Sequence, residues 1–257
     1  AGFESPAEYA AVLAATRSAA QAVDPGVQVM ISLAGLELGS SSYALTYFDL
    51  LLAAGAAMDA VSYHVYPDTY DFSTLESLLT AMQARAAGRP IWITETCVPS
   101  ATAPGFTDPA SQAAQARWLA KSWAFHVAAG VSRLFWNGIS DMSSVLPPSF
   151  FTYGGLVTFA PPPQKKASWY TYQLLAAKLS GATSAAVEST GRYRFTVANG
   201  TRYVLWGAGT ADLSLVFGAT TVLVTHIVED PSLPPATESA PANAVPLGDS
   251  PIIVESW

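Results

Sequence analysis

Four short runs of β-forming residues begin near residues 27, 59, 90 and 131, and helix-like segments separate them. Strands alternating with helices at this spacing are βα units, whose strands pair in parallel beneath the connecting helices. Only four such units fit before the pattern changes, so the expectation is an α/β fold: half of a (β/α) barrel, or a small doubly wound sheet. The ends of the runs carry the next clue. The second run, Asp59-Ala60-Val61-Ser62-Tyr63-His64-Val65-Tyr66-Pro67, closes on His64 and Tyr66. The third, Pro90-Ile91-Trp92-Ile93-Thr94-Glu95-Thr96-Cys97, closes on Glu95, and the fourth, Val131-Ser132-Arg133-Leu134-Phe135-Trp136-Asn137, on Trp136 and Asn137. An unpaired charge is costly to bury, so strand interiors exclude carboxylates. Taken alone, Glu95 reads as well as a solvated strand-end carboxylate. Three successive strands delivering polar or aromatic groups at their C-terminal ends, however, is the layout of a barrel active site.

The helices between the runs are marked by their ends. Ser5 supplies an N-cap, Pro6 sits at the first helical position and Glu8 completes a capping box for a helix over 6–23, which Asp24-Pro25-Gly26 stops. Further helices are expected over about 42–54, 73–87, 109–129 and 166–179, with Gly55, Gly88, Gly130 and Gly181 as stops. Beyond Gly181 short alternating runs take over, at 193–198, 202–207, 213–217, 221–227 and 252–255, with Asn199-Gly200 as a hairpin turn. The chain therefore divides into a (β/α) part over 1–181 and a small all-β sandwich module over 182–257. Within the module, residues 230–246 are rich in Pro, Ala and Ser and read as a long surface loop.

At 257 residues the chain can bury a substantial core. Half of it is hydrophobic and 12% is charged, a globular composition. Twelve Lys and Arg against 19 Asp and Glu, with no basic run, argue against a nucleic-acid or anionic-membrane surface. The positive mean hydropathy raises the question of a membrane span, but no uncharged apolar run approaches the ~20 residues that a span needs. The longest, 213–228, is broken by Gly218, carries His226 and reads as two strands. No signal peptide is visible. The chain begins at Ala1 rather than Met, so an N-terminal segment is expected to have preceded it.

Cys97 is the single cysteine, which excludes an intramolecular disulfide and a cysteine zinc cluster. Two residues past Glu95, it reads as a small packing residue; a Cys97–His64 thiolate pair is the reactive alternative, and thiol alkylation would reveal it. His64, His126 and His226 show no metal-binding spacing. Neither a metal nor a cofactor is expected.

The order of these segments resembles the second half of the retaining glycoside hydrolases with a (β/α)8 barrel, the clan-A or cellulase-like superfamily. The resemblance is carried by the helix opening at Ser5-Pro6, the Asp24-Pro25 helix end, the three strand-end motifs, Gly154-Gly155-Leu156, Lys165-Lys166-Ala167-Ser168-Trp169-Tyr170, and the closing Pro251-Ile252-Ile253-Val254-Glu255. It covers nearly the whole chain. It implies that Glu95 ends the seventh barrel strand as the catalytic nucleophile, since a carboxylate can attack an oxocarbenium-like anomeric carbon and leave again. It further implies that His64 and Tyr66, on the sixth strand, line the sugar site and that either could hydrogen-bond Glu95. Trp136, on the eighth, would be a platform for the sugar ring, with Asn137 a substrate contact beside it.

The chain departs from that family in one respect. Retention needs a second carboxylate ~5–5.5 Å away as acid and base, and the family places it after an Asn on the fourth strand. No Asn-Glu pair exists here. Glu4 lies too close to the first helix cap, and Glu37, beyond the fifth strand, is the in-chain substitute. With four strands absent, the chain is expected to be a piece of a longer product or to rely on a partner chain, acting on carbohydrate outside the cell or at its surface. A rival expectation is a non-catalytic carbohydrate-binding or assembly protein derived from such an enzyme; an Asn-Glu strand end encoded upstream would favour the enzyme.

Overall fold

The computed structural model describes residues 5–33, 41–142 and 148–256. Contacts divide the chain into two compact units, Ala1–Thr96 with Val131–Asn137, and Cys97–Gly130 with Gly138–Trp257. Glu4 and Glu37 lie outside the described residues.

The first unit is built in chain order from α1 (Pro6–Val23), β1 (Met30–Leu33), α2 (Ser41–Ala53), β2 (Ala60–Val65), α3 (Ser73–Ala86), β3 (Ile91–Thr96) and β4 (Val131–Trp136). The four strands form one parallel sheet in the order β1-β2-β3-β4. The capping box at the start of α1 is present, with Glu8 N donating to Ser5 Oγ and Ser5 N to Glu8 Oε2. Arg17 on α1 reaches Asp59 as a two-pronged fork, at 2.7 Å from Nη2 and 3.0 Å from Nε to Oδ1. Asp59 also accepts Val29 N at 2.9 Å. One carboxylate thus ties the helix to the entrances of β1 and β2. Arg85 on α3 forks onto Asp49 of α2 at 2.8 Å for both contacts. Ile31, Val61, Ile93, Phe48, Leu51 and Met82 are fully buried and make up the unit's core.

The ladder between β2 and β3 has one irregularity. Ser62 stands opposite Trp92 and Tyr63 opposite Ile93, but His64 stands opposite Glu95, so Thr94 has no partner in β2. Successive side chains of a strand alternate faces. Without this bulge Glu95 would share the buried face of Ile91 and Ile93; with it, Glu95 joins His64 on the face of Ser62 and Trp92. Bulges re-aim side chains in this way.

The second unit holds α4 (Gln112–Ala128), a 3-10 turn (Phe150–Tyr153) and α5 (Ala167–Leu179), followed by β5 (Ser184–Ser189), β6 (Arg192–Val197), β7 (Gly200–Leu205), β8 (Thr210–Ala211), α6 (Ser214–Phe217), β9 (Thr221–His226), β10 (Thr237–Pro241), β11 (Val245–Pro246) and β12 (Ile252–Glu255). Six strands form an antiparallel sheet in the order β10-β9-β12-β7-β6-β5, and β11 pairs with β8 separately. One face of the six-stranded sheet packs on the helices: Trp123 of α4 lies 5.6 Å from Phe195, and Phe125 lies 6.4 Å from Tyr193, between ring centroids. Opposite it, Tyr203, Leu205, Val222, Val224 and Val254 share an apolar core with Ala211 and Val245 of the small sheet. Lys178 of α5 and Arg202 of β7 both pair with Glu255 of β12. Among the described residues no helix is long and apolar enough to cross a membrane.

Four local expectations are corrected here. β5 was missed, because its small and polar residues at a sheet edge, mostly exposed, show no apolar alternation. The run at 213–217 is a short helix rather than a strand, since Asp212 Oδ1 accepts both Ser214 N at 2.9 Å and Ser214 Oγ at 2.7 Å and turns the chain. The stretch 230–246 is not all loop: it contributes β10 and β11, with Pro241 at the end of an edge strand, where no ladder donor is needed. The hairpin turn lies one residue earlier than read, with Val197 opposite Gly200 and Ala198-Asn199 at its tip; Gly200, at φ +120°, opens β7.

Gly154 and Gly155 are fixed by close approach. A Cβ at Gly155 would fall 2.2 Å from Asp141 N, and one at Gly154 would fall 2.8 Å from Cys97 Sγ. Gly154→Ala should destabilise the protein by about 1–3 kcal/mol through overpacking. Cys97→Ala in the same chain should restore part of that loss, whereas Gly155→Ala, blocked by backbone, should gain nothing from it. Urea unfolding of the single and double variants checks this, and strict additivity for Gly154 and Cys97 would refute the contact.

His126 on α4 is 1% exposed, with its Nδ1 near both the hydroxyl and the carbonyl of Ser122. Burial pulls its imidazole down to about 4. Between that value and the ordinary ~6.5 the unfolded chain binds the proton and the folded chain does not. Stability is therefore expected to be full above about pH 6.5 and to fall by up to about 3 kcal/mol as pH drops to about 4. Unfolding midpoints measured across this range should lose that slope in His126→Gln; an unchanged slope would assign it elsewhere.

Candidate active site

The C-terminal ends of β2, β3 and β4 in the first unit bring four of the sequence-chosen side chains together. Tyr66, one residue past β2, is only 2% exposed. Its hydroxyl donates to Glu95 Oε2 at 2.5 Å and accepts from Asn137 Nδ2 at 2.5 Å. The direction of this chain follows from the atoms: the Asn137 amide nitrogen can only donate, so the tyrosine oxygen accepts from it and gives its own proton to the carboxylate. Asn137 is itself held by its backbone N–H, which donates to Thr96 O at 2.8 Å. His64 stands opposite Glu95 in the ladder, with Nδ1 3.4 Å from the same Oε2 and its ring edge-on to that of Tyr66, 6.4 Å between centroids.

The contacts on Glu95 are one-sided. Tyr66 and His64 both approach Oε2, and among the described residues Oε1 has no hydrogen-bond partner. The Glu95 side chain remains 42% exposed. A carboxylate held by one oxygen and open at the other is oriented yet available, and a hydrogen bond from a neutral donor to an ionised acceptor is among the stronger kinds.

Trp136 is half-buried and stands opposite Thr96 in the ladder, one position beyond Glu95. The side chain that the end of β4 contributes to the hydrogen-bonded group is that of Asn137. On the face that Glu95 joins, Trp92 stands 6.2 Å from Phe135 and 5.8 Å from the Arg133 guanidinium. This aromatic pair was not chosen from the sequence; alternation along the two strands was the available signal. Cys97 is buried at 1% exposure, its Sγ against Gly154, an environment of a packing thiol. Among the described residues no group of three or more His, Cys, Asp or Glu could hold a metal ion.

A second polar cluster, missed in the sequence, lies in the second unit. Lys166 Nζ donates to Asp141 Oδ1 at 2.5 Å, with the two side chains 2% and 10% exposed. Burial raises the Asp141 carboxyl and lowers the Lys166 ammonium from their ordinary values, and their mutual pairing opposes both shifts. Their separation of 25 residues left no local signal.

Comparison with known proteins gives a family and a fold. Residues 7–160 match the family described as the glycosyl hydrolase catalytic core. Curated proteins give no match. Among solved structures, a GH39 β-xylosidase from Caulobacter crescentus is 16% identical with a TM-score of 0.55, covering 96% of this chain and 61% of its own. An α-L-arabinofuranosidase from Thermotoga maritima is 12% identical with a TM-score of 0.60, covering 98% and 62%. A glucosidase from Croceicoccus marinus is 12% identical with a TM-score of 0.57, covering 97% and 64%. At such identities the likeness is one of fold, a mixed α/β arrangement with a parallel sheet and a separate antiparallel sheet, and the chain spans a little over three fifths of these structures. With the family match extending over residues 7–160, more than half of the sequence, the chain belongs to the glycosyl hydrolase catalytic core family.

Proposed function

We propose that this chain is the C-terminal portion of a retaining glycoside hydrolase whose nucleophile is Glu95. The observation that carries the reading is the asymmetry at its carboxylate: Oε2 is held by Tyr66 and faced by His64, while Oε1 is open in a side chain 42% exposed. In the first step Oε1 attacks the anomeric carbon as the glycosidic bond breaks, and the departing oxygen takes a proton from a second carboxylic acid. In the second step that carboxylate removes a proton from water, water attacks the glycosyl ester, and Glu95 leaves as the anion. Tyr66 and Asn137 hold Glu95 in position through both steps, and His64 and Asn137 line the sugar site; Trp136, level with Thr96 and so on the other face of the sheet from Glu95, is left out of this reading.

The acid/base is Glu37, or a carboxylate supplied by the segment that completes the barrel. That completion is part of the same proposal: residues 1–181 form half of a (β/α)8 barrel and 182–257 its β-sandwich module. The support is the exposed face of the parallel sheet, where Phe135 is 47% and Met30 36% exposed, together with the 61–64% coverage of the solved structures. A preceding segment or a partner chain would cover that face. Action outside the cell or at its surface follows the same reading. The rival, a carbohydrate-binding protein derived from a glycosidase, draws on that open face and predicts sugar binding without turnover.

In protein supplied with the missing strands, Glu95→Gln should lower kcat by at least about a thousandfold while leaving folding and sugar affinity nearly intact. A mechanism-based fluorosugar should label Glu95. Turnover retained in Glu95→Gln, or a label on Glu37, would sink the assignment.

The hydrogen-bond chain generates its own expectation. Tyr66→Phe removes one donor to a charged acceptor and should cost about ten- to a hundredfold in kcat. Asn137→Ala acts through Tyr66, so it should lower kcat in the wild type and add little in the Tyr66→Phe background. His64→Ala should cost about ten- to a thousandfold. Steady-state kinetics of the double variant decide the matter: full additivity of Tyr66→Phe and Asn137→Ala would show that the two side chains do not act as one unit.

A further inference from the structure

The second unit contains a pocket of about 600 Å³ lined by Ser100, Gln112, Asp141, Met142, Phe159 and Lys166, among others. Its walls are preformed by backbone hydrogen bonds: Asp141 N donates to Val157 O at 2.9 Å, Met142 N to Thr152 O at 3.1 Å, Ser100 N to Tyr153 O at 3.0 Å and Thr158 N to Gln164 O at 2.9 Å.

The polar wall can be accounted for donor by donor. An ammonium has three N–H groups, and Lys166 directs them to Asp141 Oδ1 at 2.5 Å, Ser100 Oγ at 2.8 Å and Tyr153 O at 3.2 Å. Asp141 Oδ1 also accepts Gly155 N at 3.0 Å, whereas Asp141 Oδ2 has no partner among the described residues. Gln112 Oε1 accepts Ala167 N at 3.2 Å, and its amide nitrogen is likewise without a partner among them. Asp141 Oδ2 and the Gln112 amide nitrogen thus give the pocket an open acceptor and an open donor. Its only charges, among the lining residues, already neutralise each other. At the rim, Phe159 and Met142 are 54% and 52% exposed.

A charged ligand would give up its hydration here without meeting a free counter-charge. An apolar ligand would leave Asp141 Oδ2 desolvated and unpaired. What fits is a neutral, hydroxyl-rich ligand, with one hydroxyl donating to Asp141 Oδ2, another accepting from Gln112 Nε2, and a C–H face against Phe159. We propose that this pocket, whose lining residues all belong to the second unit, is a carbohydrate-binding site which takes uncharged saccharide units. The proposal rests on the glycosidase reading for its ligand class and on the pocket's own donors and acceptors for its location.

The test is binding of xylotetraose, cellotetraose and laminaritetraose to the full chain carrying Glu95→Gln, by saturation-transfer NMR and calorimetry. Phe159→Ala and Gln112→Ala remove contacts without touching the buried ion pair, so both variants should fold. Each should weaken the tightest-bound tetrasaccharide by about five- to tenfold, and Leu215→Ala, at a residue 97% exposed and outside the pocket, should leave it unchanged. The proposal is overturned if none of the three tetrasaccharides binds, or if Kd is unchanged in both pocket variants. It is also overturned if tetragalacturonate binds as tightly as the neutral probes. Turnover retained by Glu95→Gln would instead sink the nucleophile assignment and leave the pocket to be judged by Kd.

Discussion

Strand β3 carries one residue more than the strand beside it, and the geometry of the candidate site depends on that surplus. Thr94 has no partner in β2, so every residue beyond it changes face. A carboxylate that would otherwise sit in the core, at a cost of several kcal/mol for an unpaired charge, is turned to meet a tyrosine and a histidine. The bulge leaves Thr94 Oγ1 buried without a hydrogen-bond partner, a small penalty localised beside the group it re-aims. Unsatisfied polar atoms of this kind collect where a backbone is shaped for function rather than for stability.

The hydrogen-bonded group itself spans three strands with three side chains. Asn137 is fixed by its own backbone bond to β3, Tyr66 is buried, and Glu95 is the half-exposed end of the relay. Restraint thus decreases from Asn137 to Glu95, and the atom left open is the one farthest from the support. Ion pairs elsewhere serve to join elements. Arg17 with Asp59 and Arg85 with Asp49 fasten helices in the first unit, while Arg117 with Glu229 and Lys121 with Asp249 fasten α4 to the β region in the second. With 12 basic residues in the chain, these four and the Lys166, Lys178 and Arg202 pairs occupy most of the positive charge in structural roles.

The βα elements were legible because their signals are local and redundant: a capping box at Ser5 and Glu8, glycine stops, and apolar strands opened by Pro90 or closed by Pro67. Glu95, His64 and Tyr66 were legible because strand ends are the places where polar residues interrupt apolar runs. The bulge was not, since Ile91, Ile93 and Glu95 alternate perfectly in sequence and only the partner strand reveals the slip. Nor was the direct tie between Asn137 and Tyr66, 71 residues apart. In the β region the misses share a cause. β5 is an edge strand with little to bury, β10 and β11 lie in a Pro-rich stretch whose composition imitates a loop, and one aspartate, Asp212, converts an apolar run into a helical turn.

The position of β12 sets the order in which the antiparallel sheet can be assembled. Residues 252–255 lie between β7 and β9 and pair with both. Before they arrive, β5, β6 and β7 can form a meander, and β9 and β10 a separate ladder, but neither half can reach the other. Closure must therefore bridge about fifty residues of intervening sequence in one event, the kind of non-local step that slows folding. The apolar face that Tyr203 and Leu205 of one half share with Val222 and Val224 of the other stays incomplete until it occurs. A ribosome synthesising this chain would release the sheet's central strand after the other five, so the core that Ile252 and Val254 share with β7 and β9 is completed only after nearly all of the second unit has emerged.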